Sequence, residues 1–345
     1  MDRYFSRKST LNVTEIFDHT IKKEKITIKY LDALVTAQTY REIKTKSITD
    51  DFYSNLIDWY NDKIFFAVED SIFVHDFYTL ETSFVYKIPE TNITSIKGTH
   101  NKIIIGSSMG DLYYFDIPKQ KLTKRNYHTS RIGVIKQETS NLLTGSRDKT
   151  INIIDIRSSK TSHTLKSHTQ EVCGIDISKN FLNLATGGND NKLFIFDYRN
   201  LNYPLVKCSQ HKAAVKALSW SPLNSNLLVS GGGTADKTVK LWDIDNITGS
   251  SSDCLINSMD YGSQVCNLKW LLNNQIVSTH GYSKNDIRIS DPLNFKCQKQ
   301  FLGHRNRVIH FSVSQDERFF VTGSSDCSIK FWELRNEMFN ELKIR

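Results

Sequence analysis

The sequence predicts an all-β fold, a seven-bladed β-propeller with an extended amino-terminal tail and a short carboxy-terminal tail. Two observations predict it. Between residues 128 and 332 one pattern recurs five times: a His, then 20 to 25 residues later a Gly/Ser-rich stretch closed by an Asp, then an apolar strand ending in Asp or Trp. The clearest copies are His168–Asp190–Asp197, His211–Asp236–Asp243 and His304–Asp326–Trp332. Elsewhere the chain alternates short β-branched or aromatic runs with Gly, Asn, Asp and Ser turns, the signal of strands and hairpins. A repeat of about 40 to 45 residues with these marks is a WD-type propeller blade.

The blades follow in order. Blade one covers 55 to 78, where FFAV and SIFVHDF read as consecutive strands, and blade two covers 92 to 124, with Gly106, Asp111 and Asp116 in the expected order. Blade three runs 128 to 160, blade four 168 to 200, blade five 211 to 246, blade six 262 to 295 and blade seven 304 to 336. The domain reading is therefore a tail over 1–50, a propeller over 51–336 and a terminal tail over 337–345. The charged tail of residues 1 to 50 lacks blade periodicity and reads as extended, ordering on a partner.

The repeated His and Asp residues are not an active site, because one pair recurring blade after blade cannot be one catalytic centre. They read as structural: each His bonds a turn Asp and a strand Ser or Thr, since buried polar groups need partners. No phosphate-binding loop, metal-ligand spacing or clustered catalytic set is present, so neither an enzyme nor a cofactor or metal site is expected. Cys173, Cys208, Cys254, Cys266, Cys297 and Cys327 form no CxxC pair and read as free thiols. At 39% hydrophobic residues, with no run of 18 apolar ones, the chain predicts no membrane span, and MDRYFSRKST is no signal peptide. The net charge of +8 is spread out apart from IKKEKITIK at 21–29, which argues against a nucleic-acid partner.

Within this frame the chain resembles the Fizzy and Fizzy-related family, activators and substrate adaptors of the anaphase-promoting complex, a ubiquitin ligase. The resemblance rests on SHTQEVCGIDIS and LATGGNDNKLFIFD within 167–197, HKAAVKALSWSP (211–222), GGGTADKTVKLWDI (231–244), and GSQVCNLKW with QIVSTHGYSKNDI (262–287). It extends to DDFYSNLIDW (50–59) and GHRNRVIHFSVSQDERFFVTGSSD (303–326), essentially the whole propeller. KYLDA (29–33), DDFYSNL and STHGYS lean toward the Fizzy-related branch.

The resemblance implies roles for both ends. Ile344 and Arg345 match the family's Ile-Arg docking tail, a free carboxylate, a guanidinium and a branched apolar chain that one groove can capture. Asp2, Arg3, Tyr4, Phe5 and Arg7 resemble the C-box, one residue short and without its Pro. It also implies two peptide sites. The Lys-Glu-Asn degron would lie over the channel on Asn189, Thr234, Gln264 and Arg307, with Arg307 taking the degron Glu. The destruction box would lie between the first and last blades on Ile57, Asp58 and Trp59. There the family's second carboxylate is replaced by Cys327, which predicts a weaker or altered site.

The implied partners are subunits of the ligase, degron-bearing substrates such as cyclins, and inhibitor proteins, in nucleus and cytoplasm, with no nucleic acid and no membrane. The rival reading is a WD-repeat scaffold that no longer docks to the ligase. The only Ser/Thr-Pro step is Ser221-Pro222, inside a blade, so proline-directed phosphorylation of the tail is not expected to control the protein.

Overall fold

The computed structural model describes residues 35–37, 39–246 and 254–334. These form seven antiparallel sheets of four core strands each, the blades of a propeller. In each of blades one to six, four successive strands run from the channel outward, as in blade four with Val172–Ile177, Asn183–Gly188, Leu193–Asp197 and Val206–Cys208. Inner strands are buried on both faces while outer ones such as Lys121–Asn126 are mostly exposed, so polarity rises with distance from the axis.

The ring is closed by a segment that the sequence reading assigns to the tail. Arg41–Lys44 pairs antiparallel with Ser328–Glu333 as the outermost strand of blade seven, and Val35–Ala37 adds a parallel fifth strand to blade six beside Cys297–Phe301. The propeller therefore begins before residue 51. A four-residue strand, REIK, has too little periodicity to be seen alone, and its partner lies nearly 300 residues away. Ile43 is fully buried in the seam of blades seven and one. Arg41 stacks on Tyr40, Phe77 and Phe331 and donates to the Phe77 carbonyl at 3.0 Å.

Among the described residues the hydrophobic core is seven clusters, one in each seam between neighbouring blades, with a small eighth around Phe52 at one end of the channel. The axis itself is a polar channel, so burial cements blades sideways instead of filling a centre. A second cement runs around the channel wall. At one position of the innermost strand, Asp58, Asp176, Ser219 and Ser312 each accept a backbone N–H from the next blade, respectively of Gly98, Trp220, Trp270 and Trp59, all at 2.9 Å.

Blades three, four, five and seven carry the expected staple. His168 Nδ1 lies 3.0 Å from the Asp190 carboxylate and its Nε2 is 3.0 Å from the Thr186 hydroxyl. His128 with Asp148 and Thr144, and His304 with Asp326 and Thr322, repeat the geometry. In blade five His211 bonds Asp236 and Ser230, and the Trp242 indole donates to the same Ser230 oxygen at 2.7 Å. Blade six departs from the repeat. Buried Tyr261 stands where the opening His would be, and the His moves into the second strand as His280, 2.8 Å from fully buried Asp286.

Candidate functional site: the mouth of the channel

The end of the channel at which each innermost strand begins is crossed by residues 50 to 55, which precede the first strand of blade one. Phe52 buries its ring among Cys173, Ala214 and Cys266 of blades four, five and six. Lys216 donates to the Ser54 carbonyl at 2.9 Å, and the Asn55 amide donates to the Gly133 carbonyl at 2.8 Å. Gly133 is required here, because a Cβ would stand 2.6 Å from the Tyr53 carbonyl oxygen. Burial pushes the Lys216 ammonium down to about 8, and its Nζ also donates to the Ile309 carbonyl at 3.3 Å.

Two arginines bind this segment from opposite sides. Arg307 donates from Nε to the Asp50 carboxylate at 2.9 Å and from Nη2 to the Asp50 carbonyl at 2.8 Å, while its guanidinium lies 4.9 Å from the Tyr282 ring. Arg131 forms a bidentate pair with buried Glu171 at 2.6 and 2.7 Å and a third bond to Asp51 at 2.6 Å. Tyr53 stacks on Arg131 and donates its hydroxyl to Asn189 Oδ1 at 2.6 Å.

Of the four residues expected at a Lys-Glu-Asn site, three meet here. Gln264 Oε1 is 3.5 Å from Arg307 Nη1, Arg307 holds Asp50, and Asn189 holds Tyr53 three residues further on. Thr234 shares the face but stands apart, exposed at the turn of blade five. Sequence reasoning missed Asp50, Asp51, Tyr53, Arg131, Glu171 and Tyr282 as parts of the mouth. The available signal was the acidic–aromatic string DDFY immediately before the first blade.

The destruction-box expectation fares differently. Asp58 is buried on the channel wall, where Lys97 donates to one carboxylate oxygen at 2.8 Å and the Gly98 amide to the other at 2.9 Å. A buried carboxylate needs such partners, and here the protein supplies its own cation, so Asp58 does not stand free for a peptide Arg. Ile57 and Trp59 are core residues of the seam between blades seven and one. Cys327 lies at the turn before the last strand of blade seven, its carbonyl accepting from the Thr45 amide at 2.8 Å. Its neighbours are the closing segment, not Asp58. Asp2, Arg3, Tyr4, Phe5, Arg7, Ile344 and Arg345 lie outside the described residues.

A family profile described as the CDC20/Fizzy WD40 domain matches residues 44–332. The chain belongs to this family. "Protein FIZZY-RELATED 3" of Arabidopsis thaliana is 37% identical over 304 residues, covering 86% of this chain and 61% of that protein. "APC/C activator protein CDH1" of Saccharomyces cerevisiae is 34% identical over 301 residues, covering 86% of this chain and 52% of that protein. The chain thus spans about half to three fifths of the length of these curated relatives. A chain in a structure titled "Crystal Structure of Mitotic Checkpoint Complex" superposes with a TM-score of 0.81 at 31% identity, covering 92% of this chain and all of that one. The family is one of non-catalytic WD40 adaptors of the cell cycle, and the structural match shares the seven-bladed ring.

Proposed function

We propose that this chain is a substrate adaptor of the anaphase-promoting complex that holds Lys-Glu-Asn peptides at the channel mouth. The observation that carries the reading is the Arg307–Asp50 pair beside Gln264, with Asn189 reached through Tyr53. The pair presents one positive and one negative group, the complement of a Lys-Glu step. An arriving Lys takes the Asp50 carboxylate, whose side chain is 39% exposed, while the peptide Glu takes Arg307. One internal ion pair is exchanged for two intermolecular ones, which limits the desolvation cost of binding. The amides of Gln264 and Asn189 suit the peptide Asn and backbone.

The destruction-box site is the weaker half of the reading, because Lys97 already neutralises Asp58 and Arg41 fills the seam between blades seven and one. Docking through Ile344, Arg345 and the C-box-like segment, with ligase subunits, degron-bearing substrates and inhibitor proteins as partners in nucleus and cytoplasm, rests on the family resemblance.

Titration of labelled peptides tests the site. Arg307→Ala is expected to weaken a Lys-Glu-Asn peptide by about 2 kcal/mol and to leave a destruction-box peptide unchanged. Equal loss of both peptides, or of neither, overturns the placement. A pull-down of ligase subunits with the full chain and with Ile344 and Arg345 deleted tests docking. Failure of the full chain to capture them favours the scaffold reading.

A further inference from the structure

A cavity of about 370 Å³ opens beside the mouth and shares Tyr53, Arg131, Glu171 and Asn189 with it. Its lining also includes Arg147 and Lys149, which the peptide site does not use. Arg131 is neutralised by Glu171 and Asp51, but Arg147 and Lys149 make no ion pair among the described residues, and both are exposed. Asp148 lies between them in sequence and does not neutralise them. Its carboxylate is consumed by the staple of blade three, accepting from His128 Nδ1 at 2.9 Å, the Thr129 amide at 3.0 Å and the Thr150 hydroxyl at 2.6 Å.

The same staple holds the turn still. Lys149 sits at a φ of 75°, its amide bonded to the Ser146 carbonyl, and the Arg147 amide is bonded to the Arg131 carbonyl at 2.9 Å. The corresponding positions on either side of the staple Asp are Asn189 and Asn191 in blade four, Ala235 and Lys237 in blade five, and Ser325 and Cys327 in blade seven. Among these four staple turns only that of blade three carries a cation on both sides. Two unpaired cations on a fixed turn, next to the pocket that holds Tyr53 and Asn189, favour an anionic group on any peptide leaving the mouth in this direction.

We propose that Arg147 and Lys149 form an anion subsite that reads a carboxylate or phosphoryl group flanking the Lys-Glu-Asn motif of a bound peptide. The inference rests on the peptide reading above and adds a preference to it. Carboxylate and phosphoryl groups share the relevant chemistry, since each accepts two charge-assisted bonds, with the phosphoryl carrying more charge.

The test is a peptide series in which Lys-Glu-Asn is kept and a single Glu, or a single phosphoserine, replaces Ala at each flanking position in turn. Affinities are measured by fluorescence anisotropy with the wild-type chain and with Arg147→Ser/Lys149→Ser, whose thermal midpoint is checked against wild type. At one or two adjacent positions on one side, Glu is expected to tighten binding about three- to tenfold, and the double variant to remove the gain while binding the all-Ala parent unchanged. A phosphoserine gain without a Glu gain at that position assigns the subsite to phosphorylated peptides. Binding of the parent with no position-specific gain, or a gain that survives the double variant, overturns the subsite alone. If no member of the series binds, the Lys-Glu-Asn reading falls and the subsite falls with it.

Discussion

The staples inside the blades and the bonds across the channel mouth use the same chemistry in different settings. In blade five, Asp236 is buried and accepts from His211, the Lys212 amide and the Thr238 hydroxyl, and all three partners lie within 25 residues of it. At the mouth, Asp50 is two-fifths exposed and meets Arg307, 257 residues away. Burial makes the staple costly to break and solvent makes the mouth pair cheap to exchange. The molecule keeps its irreplaceable polar groups within blades and its exchangeable ones where a ligand would arrive.

Loss of a staple carboxylate is the largest effect expected. Asp236→Ala leaves the His211 ring N–H, the Lys212 amide and the Thr238 hydroxyl without their acceptor in a buried site, and is expected to cost about 3 kcal/mol in urea unfolding. Asp50→Ala removes a carboxylate that is two-fifths exposed and leaves Arg307 bonded to the carbonyl of residue 50 and stacked on Tyr282, and is expected to cost about 1 kcal/mol or less. Equal costs would erase the distinction between the two regions.

A smaller, graded effect is expected from acid. Burial lowers the affinity of His211, His280 and His304 for protons against the opposing pull of their Asp partners, and it pushes His310 down to about 3. These rings are neutral in the fold, whereas an unfolded His takes its proton near 6.5. Below that value the unfolded chain binds more protons, so stability falls as the pH drops from about 6.5 toward 3. Asp236, held at about 2 by its hydrogen bonds against burial, contributes stability above the unfolded value of 3.8, and that share is lost as the pH falls through about 2. Urea unfolding between pH 8 and 4 is expected to be flat above 7 and to weaken below it, with His310→Gln showing a shallower slope. An unchanged slope in that variant would remove His310 from the account.

The same contrast explains what could be read before the structure. The staple of His168, Thr186 and Asp190 spans 22 residues and repeats, so blade number, strand order and the structural role of the His–Asp pairs were legible. Contacts without a repeat were not. Arg41–Lys44 closes blade seven from the opposite end of the chain, and Lys97 reaches Asp58 from the next blade over 39 residues. The position of Asp58 was visible in the sequence but its partner was not, and the partner decides whether the carboxylate is available. Gln264, Arg307 and Asn189 were found through family resemblance, while Asp50, which holds Arg307, lies at the end of what read as a tail, and Tyr53, which holds Asn189, lies just past it and ahead of the first blade.

The smallest stability effect is expected at Tyr53, and it tests the comparison most sharply. Tyr53→Phe deletes the hydroxyl that donates to Asn189 Oδ1 and keeps the ring on Arg131, 5.0 Å from its guanidinium, and edge-on to Phe52 at 5.4 Å. One partly exposed hydrogen bond contributes about 1 kcal/mol or less, so the thermal midpoint is expected to move by about 2 °C at most. Asn189 keeps its bond to Gln170 but loses the contact that fixes its carbonyl end. Affinity for a Lys-Glu-Asn peptide is therefore expected to fall about three- to fivefold, a loss of about 1 kcal/mol of preorganisation. Asp236→Ala, measured where it is still folded, is expected to leave that affinity unchanged. The two variants then separate stability from binding, each moving one and sparing the other. If Tyr53→Phe lowers stability and spares the affinity, the mouth hydrogen bonds are a staple like those in the blades, and the peptide site lies elsewhere on the propeller.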